Sequence, residues 1–186
     1  MAINLKKGQR VAVGSGLQHL TVGLGWDPAD TGVDFDLDAS ACLLNDTKKI
    51  PSEGYFVFYN NPTSADGSCQ STGDDRTGRN SDGGDDEQII VDLTKLNPQI
   101  TSIVFCASIN EAEERRQNFG QVENSYIRIC NSDTGEEIFK YELCEDFSIE
   151  TSVEFGRLYL HNGVWKFEAM GIGSAEGLQG IVNKYC

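Results

Sequence analysis

Asp34, Asp36 and Asp38 alternate with Phe35, Leu37 and Ala39. On an extended strand this spacing sends the three carboxylates to one face and the apolar side chains to the other. Like charges so placed repel; two unit charges about 4 Å apart interact by about 4 kcal/mol at an effective dielectric near 20. A nearby cation relieves that cost. A second acidic element follows: seven acids and only two bases, Arg76 and Arg79, lie between Asp66 and Glu87, interleaved with Gly73, Gly78, Gly83 and Gly84. Calcium takes about six to eight oxygen ligands from carboxylates, amides and backbone carbonyls. Glycine lets the chain bend so that successive oxygens converge. The chemistry is that of a hard-cation site. Zinc and copper prefer nitrogen and sulfur, yet the chain has only two histidines, His19 and His161, and no cysteine pair separated by two residues.

The spacing does not make an EF-hand. Asp34, Asp36 and Asp38 occupy its positions one, three and five, but Ala39 stands where glycine is needed and Asn45 where the bidentate Glu belongs. Nor is it a haloacid-dehalogenase nucleophile motif, because Asp30-Thr31-Gly32-Val33 replaces the required apolar strand. Two plainer readings stand beside the metal site. Alternating acids also mark the solvated face of an edge strand, and an acidic glycine-rich loop is often disordered.

The elements that must position these residues are strands. Residues 11–13, 20–26, 34–39, 55–59, 89–91, 103–107, 125–130, 136–143, 152–160 and 164–169 carry apolar runs or alternation at short spacing. The runs at 55–59, 89–91 and 103–107 are apolar on both faces and read as central strands. Asn162-Gly163 marks a type I′ hairpin, and Asp133-Thr134-Gly135 a three-residue hairpin loop. About ten such strands predict an all-β fold, a mainly antiparallel β-sandwich. One or two short helices complete it: about two turns within 110–119, stopped by Gly120, and a helix at 175–185 with Leu178, Ile181, Val182 and Tyr185 on one stripe. Residues 60–86 read as one long polar loop, and nothing divides the chain, so residues 1–186 form a single domain in this reading.

The formal net charge is −14. Such a chain is repelled by nucleic acid and by anionic membranes and suits cations or basic partners. There is no apolar run long enough for a transmembrane segment and no secretory leader pattern, which points to the cytoplasm. Cys42, Cys69, Cys106, Cys130, Cys144 and Cys186 then read mostly as small buried hydrophobes in a reducing compartment. Trp26 and Trp165 read as core or hairpin packing. Arg76 and Arg79 read as charge balance within the acidic loop, and Arg115 and Arg116 as an exposed helix face.

The acidic stretches lie within a longer series of motifs. In order they are Val22-Gly23-Leu24-Gly25-Trp26-Asp27, Asp34-Phe35-Asp36-Leu37-Asp38-Ala39-Ser40, Phe58-Tyr59-Asn60-Asn61, Ser64-Ala65-Asp66-Gly67-Ser68, Gly73-Asp74-Asp75-Arg76-Thr77-Gly78, Gly84-Asp85-Asp86-Glu87, Arg115 through Val122, and Trp165-Lys166-Phe167. Through these motifs nearly the whole chain resembles the TerD family of tellurium-resistance and stress proteins. The resemblance implies a β-sandwich that binds calcium, two ions per domain, without catalysis, as a calcium-dependent scaffolding module working with other proteins of the same stress system. Carried onto this sequence, it implies metal ligation by Asp34, Asp36, Asp74, Asp82, Asp85, Asp86 and Glu87, with Asn60, Asn61 and Thr77 adding oxygens and Asp27 and Asp66 as weaker candidates. No catalytic residue and no organic cofactor is expected. The rival expectation is a divalent-metal hydrolase or phosphoryl-transfer enzyme using the same carboxylates, for which the sequence offers no base near the loop. A third is direct handling of tellurite by the thiols.

Overall fold

The computed structural model describes residues 2–28, 35–73 and 84–186. Twelve strands are described: β1 (Ile3–Leu5), β2 (Arg10–Ala12), β3 (His19–Pro28), β4 (Leu37–Leu44), β5 (Phe56–Val57), β6 (Cys69–Ser71), β7 (Glu87–Asp92), β8 (Ser102–Ile109), β9 (Val122–Asn131), β10 (Glu137–Glu142), β11 (Ser152–His161) and β12 (Val164–Ser174). Two helices accompany them, α1 (Ala112–Arg115) and α2 (Gly177–Tyr185). The strands form two six-stranded sheets, β1-β10-β9-β3-β7-β6 and β2-β12-β11-β8-β4-β5. All pairings are antiparallel except β1 with β10. The expected all-β, mainly antiparallel sandwich is what the chain forms.

Alternation builds the core. Leu20, Val22, Leu24 and Trp26 of β3 face Leu37, Ala39, Ala41 and Leu43 of β4 and Ile103, Phe105 and Ala107 of β8 across one apolar layer. β8 is buried at every position because α2 covers its outer side. There Cys42, Leu44, Val104 and Cys106 pack against Ile181 and Tyr185. All four sheet edges are strands of two or three residues, β1, β6, β2 and β5, which limits the unpaired backbone available for edge-to-edge association.

Several expectations change. The run at 55–59 is not a central strand: residues 53–55 form a 3-10 turn and only Phe56–Val57 pair, at the sheet edge. The helix at 110–119 is a single turn. Arg116 takes φ +54° and ends it, before Gly120 is reached, and Asn118 then caps a second, 3-10 turn. Residues 60–73 are not open loop either: β6 pairs with β7, and Cys69 is fully buried. Polar composition hid this because the turn before β6 is organised by a carboxylate. Asp66 Oδ1 accepts from the Ser64 and Ser68 hydroxyls, both at 2.7 Å, and from the Ser68 amide, while its Oδ2 accepts from the Asn97 amide. The Asn162-Gly163 turn has both residues at positive φ, as type I′ requires, and Gly135 sits at φ +72°.

Candidate functional site

β3 and β7 of one sheet and β4 of the other bring the acidic motifs to one end of the sandwich. Asp36 immediately precedes β4 and is 8% exposed. Its Oδ2 accepts from Asn110 Nδ2 at 3.0 Å, and its backbone carbonyl accepts the Asn110 amide. Its Oδ1 is buried and has no hydrogen-bond partner among the described residues. An ionised carboxylate oxygen left so costs more than an ordinary lost hydrogen bond unless a proton or a cation compensates it.

Glu87 opens β7 on the inward parity shared with Ile89 and Val91. β5 pairs with β4 only at Ala41 and Cys42, so it does not reach Ala39. Glu87 Oε2 takes the Ala39 amide instead, at 2.6 Å, and ties the two sheets together. Asp86 Oδ2 accepts the Trp26 amide at 2.8 Å, continuing the contact of its own amide with the Leu24 carbonyl. Asn61 Nδ2 donates to the Phe56 carbonyl and closes the turn in which Asn60 is exposed. A cavity of about 440 Å³ is lined by Asp38, Ala39, Tyr59, Gln70, Thr72 and Glu87 among others. A second, of about 360 Å³, is lined by Trp26, Asp27, Gly84, Asp86, Tyr126 and Lys140 among others.

Asp85 is placed differently. It lies on the outer face of the first sheet, directly over Gly23, where a Cβ would meet its carboxylate at 2.1 Å. Gly23 is paired with Gln88 on one side and Arg128 on the other, and both side chains close on the carboxylate. Arg128 Nε donates to Oδ1 at 2.6 Å and Nη2 to Oδ2 at 3.0 Å. Tyr126 Oη donates to Oδ1, and Gln88 Nε2 to Oδ2. These four donors use the four acceptor directions of a carboxylate. The pair holds the Arg128 guanidinium charged above its ordinary range, and burial together with Asp85 pushes the Tyr126 phenol up. Arg128, Tyr126, Gln88 and Asn110 were not anticipated from sequence. The signal that bears on the first three is the glycine alternation at 23 and 25: a Cβ on Gly25 would likewise strike the Tyr126 ring at 2.4 Å.

Of the expected ligands, the structure gathers Asp36, Asp86 and Glu87 at one end and sends Asp85 into an ion pair. Asp34, Asp74, Thr77 and Asp82, with Arg76 and Arg79, lie outside the described residues. Among the described residues no group of three or more His, Cys, Asp or Glu side chains is arranged to hold a metal ion. The histidines are remote from the acidic end. His19 opens β3 beside Asp133, and His161 ends β11 at the tip of its hairpin. Asp27 is exposed and accepts from Asn124 Nδ2, and Asp66 is occupied in its own turn. Arg115 pairs with Glu111 on an exposed helical turn, as expected.

Comparison with known proteins gives the lineage. The TerD domain model matches residues 1–185. A tellurium resistance protein TerD of Serratia marcescens is 45% identical over 189 residues, covering 100% of this chain and 97% of that protein. General stress protein 16U of Bacillus subtilis is 46% identical over 190 residues, again across 100% of this chain and 97% of its own length. Among solved structures, a Streptomyces coelicolor homologue of a telluride resistance protein superposes with a TM-score of 0.67 at 19% identity, covering 91% of this chain and 96% of that one. A protein of unknown function superposes with a TM-score of 0.74 at 21% identity, over 92% and 99%.

Proposed function

Since the chain belongs to the TerD family, we propose that it is a calcium-binding stress-response protein of the tellurium-resistance type, in which the ion serves as structure and not as catalyst. The observation that carries this reading is Asp36 Oδ1, a buried carboxylate oxygen without a partner among the described residues, at the end of the sandwich where Asp86 and Glu87 also gather. The donor set is all oxygen, which suits a hard cation. Asp36 would hold the ion together with oxygens supplied by Asp34, Asp74, Thr77 and Asp82. Asp86 and Glu87 brace the neighbouring strands, and Asn60 and Asn61 form the adjoining turn. Asp85 is better suited to holding the sheet than to ligation, because any ion there competes with Arg128.

In this reading calcium joins the segment before β4 to the segment before β7, and the ordered end presents a face to partner proteins of the stress system. The six unbridged thiols, four of them buried, suit a reducing cytoplasm. Binding to the folded state alone raises stability by about 2.7 kcal/mol at a hundredfold excess of free ion over Kd. The test is calorimetric titration of chelated protein with calcium and with magnesium, followed by thermal melts with and without EDTA. Calcium-selective binding that raises Tm, and that D36N weakens at least tenfold, supports the proposal. Identical melts and no binding heat in the wild-type protein refute it.

A further inference from the structure

On the outer face of the second sheet α2 packs over β4 and β8, where Cys42, Leu44, Val104 and Cys106 meet Ile181 and Tyr185. Beyond it the face continues across β11, β12 and β2. Register and strand parity place its side chains in rows. Arg157 is opposite Glu168, and Glu168 opposite Arg10; Tyr159 is opposite Lys166, and Lys166 opposite Ala12. His161 and Val164 close the hairpin end, with Val164 45% exposed. Among these residues three cations stand against one acid, in a chain whose formal net charge is −14. That acid is buried and taken up by its neighbours. Arg10 Nε and Nη2 donate to Glu168 Oε1 at 3.0 and 2.9 Å, and Arg157 Nε donates to Oε2 at 2.7 Å, with Nη2 at the same distance. Arg157 also lies over the Tyr159 ring, 5.0 Å from its centroid, and the His161 ring meets Tyr159 edge-on. A guanidinium has five N–H donors. Each of these two gives Glu168 those of Nε and Nη2, and neither Nη1 group is bonded to a described residue. The Arg10 side chain stays 61% exposed and that of Arg157 30%. Lys166, half-buried beside them, forms no ion pair with a described residue. One carboxylate thus fixes two guanidinium forks and leaves donors over for a further anion.

We propose that this face docks an acidic segment of a partner protein, whose carboxylates take the remaining donors of Arg10 and Arg157 and the Lys166 ammonium. Guanidinium forks match carboxylates bidentately, and forks already held in place lose less freedom on binding. Tyr159 and Val164 add apolar area beside them, and Tyr and Arg are the residues that carry most energy in protein interfaces. Small-molecule sites are concave, whereas this is the open face of three strands in unbroken register from Arg157 to His161 and from Lys166 to Glu168. The patch is also far from the acidic end. Tyr159 is opposite Ser102, whereas Ile109, at the other end of β8, is paired with Leu37 beside Asp36. At about 3.3 Å per residue the two ends of β8 are about 23 Å apart. That exceeds two Debye lengths at physiological salt, each about 8 Å. A short acidic segment therefore meets the patch without meeting the acidic end. A nucleic acid, charged along its whole length, meets both.

The probe is a short fluorescein-labelled synthetic peptide with glutamate at every second position, titrated with the full-length protein at low salt and followed by fluorescence polarisation. Saturable binding is expected that weakens as salt rises and that moves the amide NMR signals of β2, β11 and β12. A matched peptide with glutamine in place of glutamate binds at least tenfold more weakly. K166E, which breaks no ion pair among the described residues, weakens binding of the acidic peptide at least tenfold. R10A weakens it several-fold while Glu168 keeps its bonds from Arg157. Thermal melts establish that both variants are folded, and K166E decides alone if R10A is not. The titration is run with calcium and again with EDTA, and the same affinity is expected in both, so the outcome is independent of the metal reading. Equal binding of the glutamine peptide, an affinity that K166E leaves unchanged, binding only with calcium, preference for a single-stranded oligonucleotide of the same charge, or no saturable binding would overturn the assignment. So would dimerisation of the protein alone in sedimentation that K166E abolishes, because the face would then belong to a second copy.

Discussion

Arg128 and Asp85 meet through two parallel hydrogen bonds, 2.6 and 3.0 Å, above a glycine floor on the outer face of the first sheet. Asp85 has only 1% of its side chain exposed, whereas Arg128 retains 29%. The carboxylate is therefore the partner that cannot return to water. Removing the guanidinium strands a buried charge, and the expected cost of R128A is about 3 kcal/mol. D85N keeps the shape and should cost less. Urea unfolding of both variants checks the order, and an R128A protein as stable as wild type would show that solvent reaches Asp85. If Asp85 is no metal ligand, D85N also keeps calcium affinity within about twofold while D36N does not.

Gly23 makes that contact possible. A methyl group there would occupy the space of the Asp85 carboxyl group itself. G23A should therefore destabilise by about 2–3 kcal/mol, although alanine is ordinarily harmless on a strand. The double variant G23A/D85A should recover much of the loss. A thermodynamic cycle on the two sites measures this directly, and additive losses would sink the explanation.

Two further carboxylates set the acid limit of the fold. Thr94 and Lys95 hold Asp92 down to about 2 despite some burial. Burial alone would raise Asp66, but its bonds from Ser68, Asn97 and Ser64 outweigh that and hold it below the usual carboxylate range. A carboxylate lowered in the folded state contributes stability above its unfolded value, about 4, and loses it as pH falls toward the folded value. Stability should therefore fall between about pH 4 and pH 2. D66N should flatten part of that fall and lower stability at pH 7. Equilibrium unfolding from pH 7 to pH 2 tests both, and a D66N curve parallel to wild type would assign the acid sensitivity elsewhere.

The alternation of Leu20, Val22, Leu24 and Trp26, or of the residues of β8, was readable because the period of a strand is written in adjacent side chains. Asn162-Gly163 was readable for the same local reason. What sequence did not give is long-range. Nothing near Asp85 in the chain announces Arg128, 43 positions away. Its acidic neighbours invited a shared role that the fold divides: Asp85 turns to the outer sheet face, Asp86 to the Trp26 amide and Glu87 across the sandwich to Ala39. Residues 60–73 misled for a related reason. Serines and one aspartate satisfy each other there and order a segment whose composition resembles a solvated loop. The 55–59 run misled in the other direction, since its apolar side chains line a sheet edge that other elements cover.

The pairing of β1 with β10 and of β2 with β12 divides one short segment between both sheets, turning at Gly8, whose amide bonds the Ala169 carbonyl. Arg10 reaches Glu168 across 158 positions. At about 5–20 residues per second of synthesis, that segment waits roughly ten to thirty seconds for its partners. Both of the edges it will cover are meanwhile incomplete. Closure of the sandwich is therefore a late, non-local event, and the nascent chain passes through an interval in which chaperones, or other nascent copies, compete for strands that the finished protein keeps hidden.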